Sequence, residues 1–241
     1  MAALNPLSLH PMSKEKTPSS ETSAETSPIK LETWRDLWAR FVNNRYVSIG
    51  TTVILLAVLF WIGARFYLSS QNEEALREMR YAEEYFRQDS FEKALKGSIS
   101  FMGFEQLARE YRWTKAGNLC RLYQGLCHLK LGQYEAAIEA LEGCDIPDTY
   151  LGGAAYGALA AAYAETKNFA KAAKTYEKAA EIHDNSQTSP MYLLYAGLSY
   201  ELAGEYKNAA RIYRGLLARY PLAGEAPTAQ KHLARVEAYA P

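Results

Sequence analysis

The 241 residues are enough for one or two domains, and 27 Lys and Arg are balanced by 27 Asp and Glu. That balance excludes a phosphate-clamping surface as the main feature, because nucleic-acid binding needs a basic face and no Lys/Arg run supplies one. Four scattered histidines (His10, His128, His183 and His232) lack metal-ligand spacing, and no phosphate-cradling glycine loop is present. No catalytic, cofactor-binding, metal-binding or small-molecule-substrate residue is therefore expected, and the chain does not read as an enzyme.

Residues 1–29 are rich in Ser, Thr, Pro and Glu and hold almost nothing to bury after Leu9, which predicts a disordered tail. Over residues 30–45, Leu31, Trp34, Leu37, Trp38 and Phe41 fall on one helical face. That segment suits an amphipathic juxtamembrane helix, or equally an N-terminal extension of the membrane helix.

Residues 46–68 are predicted to form a transmembrane helix, since no charge interrupts the run from Val47 to Ala64 and Phe66, Tyr67 and Leu68 extend it. Arg45 and Arg65 can snorkel to the two interfaces, while Phe60, Trp61, Phe66 and Tyr67 supply an aromatic belt. The run starts too late for a cleaved signal peptide, and it holds no Gly-x-x-x-Gly dimer motif. Arg35, Arg40 and Arg45 precede it and Arg77 and Arg80 come after it, a small bias toward a cytoplasmic N-terminus.

From residue 70 to 241 a register recurs four times: a small residue, an aromatic three positions on, a second aromatic six further and an alanine three after that. The copies are Ala82, Tyr85, Phe91, Ala94; Gly125, His128, Tyr134, Ala137; Ala160, Tyr163, Phe169, Ala172; and Gly197, Tyr200, Tyr206, Ala209. His128 is the one lapse, read as a packed core histidine. The small positions lie 43, 35 and 37 residues apart, close to the length of a tetratricopeptide repeat.

The predicted fold class is all-α: one transmembrane helix, then a tetratricopeptide-repeat α-solenoid of about four repeats near 75–117, 118–152, 153–189 and 190–223. A capping helix over 227–239 would close it. Within a repeat, Gly125 or Ala160 should face Ala137 or Ala172 where two helices approach closely, with aromatics filling the surrounding gaps. The long first spacing points to a second helix broken at Lys96 to Ser100 and restarted by Phe101, Phe104, Leu107, Ala108 and Tyr111.

First helices of such repeats line the concave face, which marks a candidate partner-binding groove. The second copy offers Leu119, Leu122, Leu126 and Leu129; the fourth offers Met191, Leu194, Leu198 and Leu202. Between them Ala154, Gly157, Ala161 and Ala164 would form a shallow floor, so the groove suits an apolar helix or an extended apolar segment. The same leucines could equally be core, if the array's own helices fill the groove. Cys120 and Cys127, seven residues apart on one helix, are about 10 Å apart by helical rise and cannot bridge, whereas Cys144 could approach Cys120. Free thiols are the expected state.

The segments Ser90–Leu95 (SFEKAL), Thr114–Leu119 (TKAGNL) and Thr188–Gly197 (TSPMYLLYAG) resemble the single-anchor tetratricopeptide proteins of Gram-negative envelopes, the YfgM-like family of ancillary SecYEG translocon subunits. The resemblance runs from about residue 46 to the end. It implies a cytoplasmic N-terminus, one bacterial inner-membrane helix and a periplasmic repeat domain. The implied partners are Sec translocon subunits, a membrane-anchored peptidyl-prolyl-isomerase-like periplasmic chaperone and exported chains. The long Ser/Thr-rich tail departs from the family pattern. The expected function is a non-enzymatic protein-interaction adaptor, the alternative being a structural scaffold for an envelope complex without client contact.

Overall fold

The computed structural model describes residues 38–39, 45–145 and 150–239, and the chain divides into two compact units, Met1–Ala57 and Val58–Pro241. The tail over 1–29 lies outside the described residues. So does the amphipathic segment, apart from Trp38, Ala39 and Arg45, which are helical. The first unit contributes those residues and the opening of α1.

Helix α1 runs from Arg45 to Arg87, 43 residues in which the apolar pattern changes character partway. Its apolar window has a mean hydropathy of 2.2 with none of it buried, and Phe60 is 78% exposed. This helix is long and apolar enough to span a membrane. In the second unit, beyond Asn72, the stripe narrows to Ala75, Met79 and Ala82, all buried at a spacing of four and three.

The remaining helices form antiparallel pairs. Helix α1 meets α2 (Phe91–Lys96) and α3 (Phe104–Glu110); α4 (Lys115–Lys130) pairs with α5 (Tyr134–Glu142), α6 (Tyr150–Glu165) with α7 (Phe169–Ile182), and α8 (Ser189–Leu202) with α9 (Tyr206–Arg219). Helix α10 (Ala226–Glu237) buries Ala229 and Val236 against the last pair and turns Gln230, Lys231 and Glu237 to solvent. The architecture is an all-α tetratricopeptide solenoid with a capping helix.

Between α2 and α3 the helix is broken by a two-stranded hairpin, β1 (Gly97–Ser98) and β2 (Phe101–Met102), with Gly97 opposite Met102 and Ser98 opposite Phe101. Phe101 is thereby buried and stacks on Tyr85 at 4.9 Å, while Ile99 at the tip is fully exposed. The hairpin swaps one turn of helix for a ring in the first core.

The turns joining paired helices share one backbone feature. Asp89, Gly132, Lys167 and Gly204 all have positive φ, and each stands two residues before the first aromatic of the next helix. A left-handed residue there ends one helix and lets the chain reverse, which glycine does without strain and aspartate or lysine does at a cost.

In the second and fourth repeats the small residue meets a side chain one helical turn beyond the expected alanine. A Cβ built on Gly125 would lie 2.5 Å from Leu141 Cγ, and one on Gly197 would lie 2.3 Å from Tyr213 Cε1. The small residue faces the large side chain one turn beyond Ala137 or Ala209, because a glycine in one helix makes room for a ring or branched chain from the other. Tyr213 is completely buried as a result.

Candidate protein-binding face

Neighbouring repeats are fastened by carboxylates that accept phenolic hydrogen bonds, Glu177 and Glu201 half-buried and Glu142 exposed. Tyr163 Oη of α6 donates to Glu142 of α5, and Tyr200 Oη of α8 donates to Glu177 of α7 at 2.5 Å. Arg211 adds two bonds to Glu177, at 2.9 and 3.1 Å. At the C-terminal end Glu201 accepts from Tyr213 at 2.6 Å and from Arg235, and His232 Nδ1 lies 2.9 Å from it. Burial alone would raise the Glu201 pKa, but the Tyr213, Arg235 and His232 contacts outweigh it and hold the carboxyl below the usual carboxylate range. Burial and the Glu142 bond push Tyr163 up to about 12, so the phenol stays a donor at neutral pH. Among the described residues no buried side-chain nitrogen or oxygen lacks a hydrogen-bond partner.

These latches leave the first-helix leucines in three different situations. Leu122 is core: it is 3% exposed and packs with Ala137, Leu141 and Leu159, so it cannot line a groove. Leu119, Leu126 and Leu129 are half-buried against the same cluster, and Leu194 is half-buried against the C-terminal one. Met191 and Leu198 are half-buried, while Leu202 is 64% exposed.

Two of the eight are brought together at one opening. Leu198 and Leu202 line a cleft of about 430 Å³ with Glu201, Tyr206, Arg235 and Tyr239. Tyr206 and Tyr239 stack there at 5.4 Å, so the cleft has aromatic and aliphatic walls beside a charged pair. The chain signalled Tyr206 as the second aromatic of its repeat, but not that it would lie open beside Tyr239.

The floor on α6 is not continuous. Ala154 is exposed and Ala161 and Ala164 are half-buried, but a Cβ on Gly157 would sit 2.5 Å from Tyr192 Cε1. The Tyr192 ring from α8 covers the middle of the expected channel, because the small residues of α6 invite a large one. Tyr192 stacks in turn on Tyr176 at 6.4 Å.

A second cleft of about 660 Å³, between α3, α4 and α5, is polar and includes Glu105, Arg109, Arg121, His128 and Glu139. His128 is therefore no core residue: it is half-buried and its Nδ1 lies 2.7 Å from Gln133 Oε1. All three cysteines are free, Cys120 and Cys127 buried in the first cluster and Cys144 against the second. Burial raises Cys120 and Cys127 to about 12 and Cys144 to about 11, where Arg121 opposes it. Protonated thiols of this kind are poor nucleophiles. Among the described residues no group of His, Cys, Asp or Glu could hold a metal ion.

A comparison with protein families matches the tetratricopeptide repeat at residues 120–144 and 192–223, which cover parts of the second and fourth copies. No curated protein matches the chain. The chain carries tetratricopeptide repeats, whose role is to hold other proteins.

Proposed function

We propose that the chain is a non-enzymatic adaptor anchored in the bacterial inner membrane by one pass of α1, with its N-terminus in the cytoplasm and its repeats in the periplasm. There it meets Sec translocon subunits, a peptidyl-prolyl-isomerase-like chaperone and exported chains. Support for the setting comes from the resemblance of Ser90–Leu95, Thr114–Leu119 and Thr188–Gly197 to YfgM-like proteins and from the arginine bias around residues 46–68.

The observation that carries the binding role is the open cleft at Leu198 and Leu202. An exposed leucine flanked by stacked tyrosines on a solenoid is a place for an apolar side chain of another protein. Leu119, Leu126, Leu129, Met191 and Leu194 extend the face along α4 and α8, each only half covered. A shared membrane raises the effective concentration of both partners, so modest contacts suffice.

Protease added to spheroplasts should digest the repeats while the inner membrane is intact. Full-length protein purified in mild detergent should retain translocon subunits and the chaperone, and Leu198→Glu with Leu202→Glu should release them. Survival of the repeats until the membrane is broken reverses the orientation. Recovery of envelope proteins without any translocon subunit favours the structural-scaffold alternative.

A further inference from the structure

We propose that the corner between α3 and α4 docks on the bilayer surface and fixes how the repeats stand on the membrane; this rests on α1 spanning the bilayer. The corner is Tyr111, Arg112, Trp113 and Thr114. Trp113 is 75% exposed, and the Arg112 guanidinium lies 5.0 Å from the centre of its ring.

The exposure is not that of a slack loop. Tyr111 is buried, the Thr114 amide and hydroxyl both donate to Tyr111 O at 2.9 Å, and Thr114 Oγ1 accepts from Gly117 N at 2.9 Å to cap α4. The ring is held out by a fixed turn that buries Tyr111 and Thr114 and leaves Arg112 exposed beside it.

Position along α1 supplies the partner. The first turn of α4 is tied to α1 by Asn72 Oδ1, which accepts from Ala116 N at 2.8 Å. Asn72 lies four residues past Leu68, about 6 Å along the helix axis. A headgroup zone adds roughly 5–8 Å beyond the hydrocarbon on each side, so the corner sits at the level of the lipid headgroups. Tryptophan prefers that layer, and a guanidinium stacked on it can donate to lipid phosphate. Arg109, Arg112 and Lys115 supply cations that can meet lipid phosphate, beside Glu110 of the same segment and Glu74 and Glu78 of α1, whose charges reach Tyr111.

The test uses the full chain in phosphatidylethanolamine–phosphatidylglycerol vesicles and two single-tryptophan variants. One keeps Trp113 (Trp34→Phe, Trp38→Phe, Trp61→Phe) and the other keeps Trp61 (Trp34→Phe, Trp38→Phe, Trp113→Phe). Trp113 should lose most of its emission when a lipid with a headgroup nitroxide is included, and Trp61 should lose its emission to a lipid brominated on the acyl chain. Adding Arg112→Glu and Lys115→Glu should restore Trp113 emission with helicity unchanged. Quenched Trp61 beside unquenched Trp113 overturns the docking and leaves the anchor standing, including the case in which a protein rather than lipid covers the corner. Loss of quenching at both reporters removes the span and the docking with it.

Discussion

Replacing Gly197 with alanine should destabilise the fourth repeat, although alanine is the better helix former by about 1 kcal/mol. The added methyl would stand 2.3 Å from Tyr213 Cε1 and 2.5 Å from Cζ, and that ring is completely buried. The ring cannot move without loosening its 2.6 Å bond to Glu201, the carboxylate that also ties α10 to α8 through Arg235. Overpacking costs about 1–3 kcal/mol and a hydrogen bond to a charged group about 1.5–3 kcal/mol, so the net loss is about 1.5–5 kcal/mol after the helix gain. For a domain of this size that lowers the melting temperature by roughly 3–20 °C, read by far-ultraviolet circular dichroism in detergent. Tyr213→Phe on top of Gly197→Ala should cost less than on the wild type, because the bond it removes is already weakened. A neutral or stabilising Gly197→Ala would refute the close approach of α8 and α9.

Single side chains carry three further expectations. Stability should fall in acid as Glu201 protonates: its folded pKa is depressed, so the stabilisation is complete above the usual carboxylate range and is lost as pH drops through the folded value. Glu201→Gln should flatten that acid slope in melts recorded as a function of pH. Lys167→Gly should raise stability by about 1 kcal/mol, since Lys167 holds a positive φ where Gly132 and Gly204 stand in other repeats, and a denaturant melt should show a higher midpoint. Leu122→Glu should unfold the second repeat by several kcal/mol, as a buried unpaired charge does, whereas Leu202→Glu should leave the melt unchanged.

The repeat register was legible because its physics is periodic: small residues at Gly125, Ala160 and Gly197 mark where helices approach, and aromatics three residues away mark their flanks. What Gly125 and Gly197 touch was not legible, since the partner lies one turn further, at Leu141 or Tyr213, and only the crossing of two helices decides that. The break at Gly97 showed as a lapse in the stripe, yet two-residue strands leave no period to read. Leu122 and Leu202 sit on similar apolar stripes of first helices. Their opposite burial comes from the neighbouring helices: α5 and α6 close over Leu122, while Leu202 ends at the open side of the cap. The latches did leave a trace, Glu142 and Glu177 standing 35 residues apart, one repeat length.

Occupancy of the cleft beside α8 and α10 by another protein can be read directly in cells. A photo-crosslinking amino acid placed at Leu202 in the full-length chain, in intact cells, should yield a discrete adduct with an envelope protein. The same group at Lys174, exposed on α7, should yield none. Equal labelling at both positions, or no adduct at Leu202 while the protein is folded and in the membrane, would contradict the account.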